Sequence, residues 1–259
     1  LLFSNVINTV SINDRCFLYG DGFFSTVRVR HGLAELWPLH LARLQETARQ
    51  LAINVTDWQA LSRAVTAAIE TKGLSDAVLK IQISRGESNR GYSPLGVTAA
   101  NLVISCSALP DYSHWQQHGV KVALAELRLA VQPVLAGLKH CNRLEQVLLK
   151  REASERHVDD LLVCDQQGFI TEAIAANVFM HRDGRWYTPE LSRAGVAGVM
   201  RSHLLRQRDI EQVNWQLPEL ANVDAMVLSN ALMGPVPVQS YNNQPLNLAL
   251  AKTWCNAFL

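Results

Sequence analysis

The chain has 259 residues, 48% of them hydrophobic, which is enough for one large domain or two ordinary ones, and two is the expectation. Lys and Arg number 24 against 23 Asp and Glu, a formal charge of +1, so no broad field recommends a nucleic acid or an anionic membrane as partner. Any anion recognition has to be local. Five scattered cysteines (Cys16, Cys106, Cys141, Cys164, Cys255), odd in number and without a C-x-x-C pair, speak against a disulfide framework and a zinc or other metal site and suit a reducing cytoplasm. Residues 1–5 show no basic segment leading into an apolar run, and nowhere do about 18 apolar residues follow one another, so neither a secretion signal nor a membrane span is expected.

In chain order, the β-branched stretch 24–30 and the turn His31-Gly32 predict a hairpin. Pro38 suits the first turn of a helix carrying Leu39, Leu41, Leu44 and Leu51, and Thr56-Asp57 caps a second helix running to about Lys72. Strands return over 77–84 and 101–107. The polar, irregular stretch around Pro110-Asp111-Tyr112-Ser113-His114 marks the boundary between two domains. Beyond it come a strand over 120–126, a loop ending at Lys139, and a helix over 142–157 with Leu144, Val147 and Leu148 on one face. Short strands over 160–164, 169–171, 177–181 and 186–188 precede a helix over 198–208, strands over 226–229 and 236–240, and a terminal helix from Leu246. No repeat is visible. The expected class is α+β in two unequal lobes, with an N-terminal α/β domain at 1–108, an interdomain loop at 109–118 and a C-terminal domain at 119–259.

Five segments could carry chemistry, and each also has an ordinary structural reading. Lys139, in Gly137-Leu138-Lys139-His140-Cys141-Asn142-Arg143, is by itself only a lysine near a glycine. Glu172 sits among small and apolar residues, where a carboxylate rarely stands without a cationic partner, its ordinary reading being a salt bridge or a turn-stabilising Glu. Gly195-Val196-Ala197-Gly198-Val199-Met200-Arg201 is a glycine-bearing turn feeding a helix, offering free N–H groups and a positive dipole end to a phosphate. Ser229-Asn230-Ala231 ends a strand in small polar residues. Arg43, on an apolar helix, either snorkels to water or points inward to a phosphate.

Together and in this order these segments resemble the signature set of the class-IV pyridoxal-phosphate enzymes. The likeness begins at Asp14-Arg15-Cys16-Phe17-Leu18-Tyr19-Gly20-Asp21-Gly22-Phe23-Phe24, close to the family's D-R-x-x-x-Y-G-D-G-x-F. It continues through H-x-x-R-L at His40 to Leu44, Lys139-x-x-Asn142, Thr171-Glu172 with Asn177-Val178-Phe179, and G-V-x-G-x-x-R at Gly195 to Arg201. The resemblance implies a two-domain fold of type IV, with a smaller N-terminal lobe and a larger C-terminal lobe built on a barrel-like core. It implies pyridoxal 5'-phosphate as cofactor, held covalently by Lys139, with Glu172 at the ring nitrogen and Val196 against the ring. Arg43, the N–H groups of Val199 and Met200, and the Asn230-Ala231 turn would hold the phosphate, and Asn177 belongs to the same cofactor set. It also implies a homodimer in which a loop of one subunit completes the active site of the other.

Within the family, the sequence is similar to the lyase branch, which acts on 4-amino-4-deoxychorismate, in three places. Lys139 to Gln146 follows K-H-x-N-R-L-E-Q, Ile83 to Ser93 follows I-S-R-G-x-x-x-R-G-Y-S, and Asn230 to Met233 follows N-A-L-M. The alternative is a branched-chain or D-amino acid aminotransferase on the same scaffold. The lyase substrate carries two carboxylates, so cationic or hydrogen-bonding groups have to meet both. Arg85, Arg90, Tyr92, Arg143 and Arg28 are the candidates, at least one of them expected to be a structural ion pair instead.

Overall fold

The computed structural model describes residues 9–88, 90–97 and 99–257. The N-terminal residues 1–5 discussed above and Asn89 of the R-G-x-x-x-R-G segment lie outside these. The chain divides into two compact units, one taking residues up to Pro110 together with Lys139–Asn142, the other Asp111–Leu138 and the residues from Arg143 onward. After Leu138 the chain thus contributes four residues to unit one and then resumes unit two.

In unit one, β1 (Gly22–Arg30), β2 (Leu33–Ala34), β3 (Ala77–Ser84) and β4 (Asn101–Ser107) form an antiparallel sheet in the order β2-β1-β3-β4. Along β1 the odd positions Phe23, Ser25, Val27 and Val29 are buried, while Phe24, Thr26 and Arg28 lie on the other, half-covered face, as the period of two in a strand requires. Two helices cover the buried face, α2 (Trp37–Gln50) and α3 (Trp58–Thr71). Helix α3 presents Leu61, Val65 and Ile69 at i, i+4 and i+8, and Asp57 caps it by accepting from Ala60 N at 2.7 Å. Of the apolar face expected for α2, Leu44 is buried and Leu41 and Leu51 pack partly buried against the core, and the fully buried stripe also takes His40, Thr47 and Ala48.

A short helix that the sequence reading did not anticipate, α1 (Arg15–Tyr19), opens the unit. Asp14 caps it, its Oδ1 accepting from Cys16 N at 2.8 Å, and Gly20 ends it at φ 68°, a left-handed turn suited to glycine. A Cβ on Gly20 would stand 2.2 Å from Oδ1 of Asn142, so the Y-G-D-G and K-x-x-N segments constrain each other directly.

Unit two is built on a nine-stranded sheet whose principal order is β10-β9-β8-β11-β12-β5-β6-β7. The strands are β5 (Val120–Leu124), β6 (Asp160–Cys164), β7 (Ile170–Ala173), β8 (Asn177–Arg182), β9 (Arg185–Pro189), β10 (Ile210–Val213), β11 (Ala225–Asn230) and β12 (Gly234–Tyr241), with β13 (Gln244–Pro245) paired to β12. The sheet curls on itself. Ile170 N donates to Trp215 O at 2.8 Å and Phe169 bridges Gln216, which joins β7 to the segment just after β10. This is the barrel-like core expected of the larger lobe.

Helix α5 (Leu144–Glu155) packs outside the curl. In β6, Leu162 and Cys164 face the interior while Leu161 and Val163 face α5, so the strand is buried on both sides and its sequence shows no alternation. The expected apolar face of α5 is corrected: Leu149 and Ala153 are buried, at i and i+4, whereas Leu144 and Val147 are 70% and 63% exposed. The remaining helices are α4 (Ser113–His118), α6 (Val199–Gln207), a 3-10 turn at Leu217–Asn222, and α7 (Leu248–Asn256). No helix among the described residues is long and apolar enough to cross a membrane.

Asp160, at the start of β6, accepts from Leu161 N at 2.8 Å and Ile174 N at 3.0 Å, both on Oδ1. Burial pushes its carboxyl up to about 6, against the pull of those two bonds and of Lys150. A carboxyl raised in the folded state favours folding while protonated and opposes it once ionised, so this contribution is lost as pH rises through about 6. An amide oxygen accepts the same two bonds without the charge. Asp160→Asn is therefore expected to raise the thermal midpoint above pH 6 while leaving it unchanged near about pH 4. Equal melting curves at both pH values would remove the argument.

Candidate active site

Lys139 lies in a four-residue segment that runs beside the start of β1. Phe24 N donates to Lys139 O at 3.0 Å, Cys141 N donates to Gly22 O at 2.9 Å, and Phe23 and His140 form an antiparallel bridge. These backbone bonds hold the segment as a short extra edge of the sheet, leaving the Lys139 side chain to be placed by its surroundings. Its Nζ stands 4.7 Å from the centroid of Phe24, and Nζ of Lys80 stands 4.8 Å from the same ring. Cys141 is half-buried, and its thiol is hydrogen-bonded to that of Cys16.

The Arg43 side chain turns inward rather than snorkelling. Its Nη2 donates to Ser25 Oγ at 2.6 Å, and its Nε is buried with no protein partner among the described residues. Burial draws the guanidinium down to about 10. Ser25 Oγ also lies 2.6 Å from His40 Nδ1. Burial, followed by the positive charges of Arg43 and Lys139, pushes His40 down to about 3, so the imidazole is neutral at physiological pH.

In unit two, Glu172, Asn177 and the turn from Gly195 to Gly198 form one hydrogen-bonded assembly. Glu172, on β7 and only 4% exposed, accepts from Val196 N at 2.8 Å through Oε2. Asn177, at the start of β8, donates to Val196 O at 2.8 Å and accepts from Gly198 N at 3.1 Å. Gly137 clasps the turn from the other side, donating to Gly195 O at 2.9 Å and accepting from Ala197 N at 3.0 Å. A Cβ on Gly198 would stand 2.1 Å from Asn177 Oδ1, and Gly195 has φ +86°, so both glycines are required by this packing. Gly198 caps α6 without a side-chain bond, which leaves the first N–H groups, of Val199 and Met200, as donors at the positive end of the helix. Arg201 closes the motif. Its guanidinium is buried and donates to Pro189 O at 2.7 Å and Gln212 Oε1 at 2.8 Å, tying α6 to β9 and β10. The Asn230 side chain shapes the β11–β12 turn, accepting from Leu232 N and Met233 N, each at 2.9 Å, and donating to Ala175 O at 3.2 Å.

A sequence model of the amino-transferase class IV family matches residues 22–241. The chain belongs to the class-IV aminotransferase family. Within it, the chain is 38% identical over 236 residues to an aminodeoxychorismate lyase of Vibrio harveyi, a match covering 88% of this chain and 86% of the relative. A D-alanine aminotransferase of Bacillus licheniformis is 22% identical over 243 residues, covering 92% of this chain and 84% of that one. Among solved structures, the 4-amino-4-deoxychorismate lyase of Pseudomonas aeruginosa is similar with a TM-score of 0.91 at 35% identity, over 97% of this chain and 94% of that one. The α+β, type-IV fold expected from the motifs is the one this class-IV chain adopts.

The residues present fit the family's pyridoxal phosphate on physical grounds. In unit one, a buried guanidinium whose Nε has no partner among the described residues suits a phosphate; in unit two, so does the start of α6, capped without a side-chain bond, and a buried carboxylate suits a protonated ring nitrogen. The candidate substrate residues of the class-IV chain are placed less uniformly. Arg85 donates to Asp21 Oδ2 at 2.8 Å, Ala52 O at 2.7 Å and Leu51 O at 2.8 Å. Arg28 lies 3.8 Å from Glu35 on the half-covered face of β1. Arg90 is exposed and Tyr92 is 83% exposed, in a loop whose carbonyls at Gly91, Tyr92 and Ser93 accept from buried Arg15. Arg143 caps α5 and donates to Leu138 O at 3.4 Å. The sequence reading assigned no role to Ser25, and it quoted His40 only as the first residue of H-x-x-R-L, although His40 precedes Leu44 by one helical turn and so shares its buried stripe.

Proposed function

We propose that this class-IV chain is an aminodeoxychorismate lyase, converting 4-amino-4-deoxychorismate to 4-aminobenzoate and pyruvate, a step of folate biosynthesis. The observation that carries the reading is the 38% identity to a lyase of that name over 88% of the chain. When bound, pyridoxal phosphate supplies an electron sink for the carbon bearing the substrate amine. Lys139 would hold the cofactor through Nζ and would serve as the base for the proton on that carbon. Glu172 would keep the ring nitrogen protonated, and Val196, fixed by Glu172 and Asn177, would lie against the ring. Arg43, Val199 N, Met200 N and the Asn230-Ala231 turn would bind the phosphate. Loss of the enolpyruvyl group as pyruvate then leaves an aromatic product, a driving force that amino-group transfer lacks.

Arg28, Arg90, Tyr92 and Arg143 are assigned to the two substrate carboxylates. Arg85 is assigned to structure, since Asp21 and two carbonyls take up its donors. Exposed Tyr92 and Leu95 suit a loop offered to a second copy of the chain, so the working form is a homodimer, and five free cysteines fit a cytoplasmic location. The two compact units are taken as the two domains, changing over between Pro110 and Asp111, within the 109–118 stretch expected to join them.

The competing reading is a D-amino acid or branched-chain aminotransferase, favoured by relatives such as the 22% identical D-alanine enzyme. One assay separates the two. Purified chain with pyridoxal phosphate and 4-amino-4-deoxychorismate, and no keto acid, is expected to release 4-aminobenzoate and pyruvate in equal amounts. Product formed only with D-alanine or leucine plus 2-oxoglutarate would move the chain to the aminotransferases.

A further inference from the structure

We infer that Ser25 and His40 are positioning residues that aim the Arg43 guanidinium at the cofactor's phosphate, a role that rests on the assignment of Arg43 to phosphate binding. The bond directions follow from donor chemistry. Arginine only donates, so Ser25 Oγ is the acceptor in its 2.6 Å contact with Arg43 Nη2. The Ser25 hydroxyl proton then needs an acceptor of its own, and His40 Nδ1, also at 2.6 Å, is the one recorded among the described residues. His40 therefore accepts at Nδ1 and carries its proton on Nε2. The relay runs one way, from Arg43 to Ser25 to His40.

Three features argue that this relay is more than core packing. Ser25 and His40 are 0% and 1% exposed, in positions of β1 and α2 whose neighbours along each stripe are apolar or small. A leucine at position 40 would fill that space without burying an imidazole whose Nε2 finds no partner among the described residues, a cost of about 1–3 kcal/mol. His40 also stays neutral, pushed down to about 3, so it remains an acceptor and adds no third positive charge beside Arg43 and Lys139. Finally, Thr47 Oγ bonds back to Arg43 O at 2.8 Å, so the helix backbone at Arg43 is held as well as its tip.

The test titrates cofactor-stripped full chain with two probes, pyridoxal phosphate and phosphate-free pyridoxal, following absorbance and confirming affinity by equilibrium dialysis. Ser25→Ala and His40→Leu are each expected to weaken pyridoxal phosphate by about tenfold while leaving pyridoxal within about twofold. His40→Asn, which keeps an acceptor oxygen near the place of Nδ1, is expected to retain most of the lost affinity despite its smaller volume. Equal losses for both probes would mark a general packing role and overturn the inference, as would unchanged affinity for pyridoxal phosphate. Wild-type chain that fails to bind pyridoxal phosphate at all would instead overturn the cofactor assignment, and the relay's purpose with it.

Discussion

Lys139→Ala is expected to abolish 4-aminobenzoate release, a fall of about 10⁴-fold or more, because the variant lacks the side chain proposed as both covalent anchor and base. The visible absorbance of lysine-bound cofactor is lost with it. The fold should survive. What secures the segment is backbone: Phe24 N to Lys139 O and Cys141 N to Gly22 O, neither of which involves the Lys139 side chain. Circular dichroism and thermal melting of the variant are therefore expected to match wild type. Lys80 provides the control, since its ammonium lies over the same Phe24 ring at almost the same distance. If proximity to that ring were all that mattered, Lys80→Met would lose the absorbance too; it is expected to keep it. A Lys139→Ala chain that still releases 4-aminobenzoate at the normal rate would sink the assignment.

What was legible in the sequence was mostly periodic or motif-borne. The helix over Trp58–Thr71 follows from Asp57 as cap and from Leu61, Val65 and Ile69 at four-residue spacing, and the strand Ala77–Ser84 from its β-branched run. Short elements escaped for physical reasons. Helix Ser113–His118 buries no residue, so it carries no apolar stripe, and its main local signal is Asp111 accepting from Ser113 N at 2.9 Å. Strand Ile210–Val213 has apolar residues only at its ends and exists because it pairs in parallel with Arg185–Pro189, a partnership the sequence alone does not announce. Helix Leu144–Glu155 misled in the other direction: Leu144 and Val147 read as a core face, yet they point outward while Leu149 and Ala153 face the strands.

The candidate site shows the same divide. Residue types and order singled out Lys139, Arg43, Glu172 and the Gly195–Gly198 turn as candidates, because those segments carry recognisable spacings. Which groups touch was not legible, since each contact joins separate elements. Asn177 clamping both sides of Val196, Arg201 reaching β9 and β10, and Ser25 standing between Arg43 and His40 are all products of tertiary register. Arg85 illustrates the hazard: an arginine in a lyase-like motif invites a substrate role, whereas its guanidinium meets Asp21 and the carbonyls that end α2.

Glu172→Gln separates the charge of this buried carboxylate from its shape. The carboxylate is buried and accepts from Val196 N at 2.8 Å, and Gly195 leaves room for it, a Cβ there lying 3.3 Å from its carboxyl carbon. A glutamine fits the same volume and its oxygen takes the same N–H, so the turn that presents Val196, Val199 and Met200 is preserved. What disappears is the negative charge that the proposed function assigns to the ring nitrogen. Turnover is therefore expected to fall by about 10²-fold or more, from loss of a preorganised charge in a dry site. Affinity for pyridoxal phosphate should fall much less, because Lys139 and the phosphate contacts are untouched. The cofactor-free variant should melt no lower than wild type, since removing a buried charge also removes its desolvation cost. A large drop in melting temperature would show that the carboxylate serves the turn rather than the ring, and wild-type turnover in Glu172→Gln would exclude the charge from the chemistry.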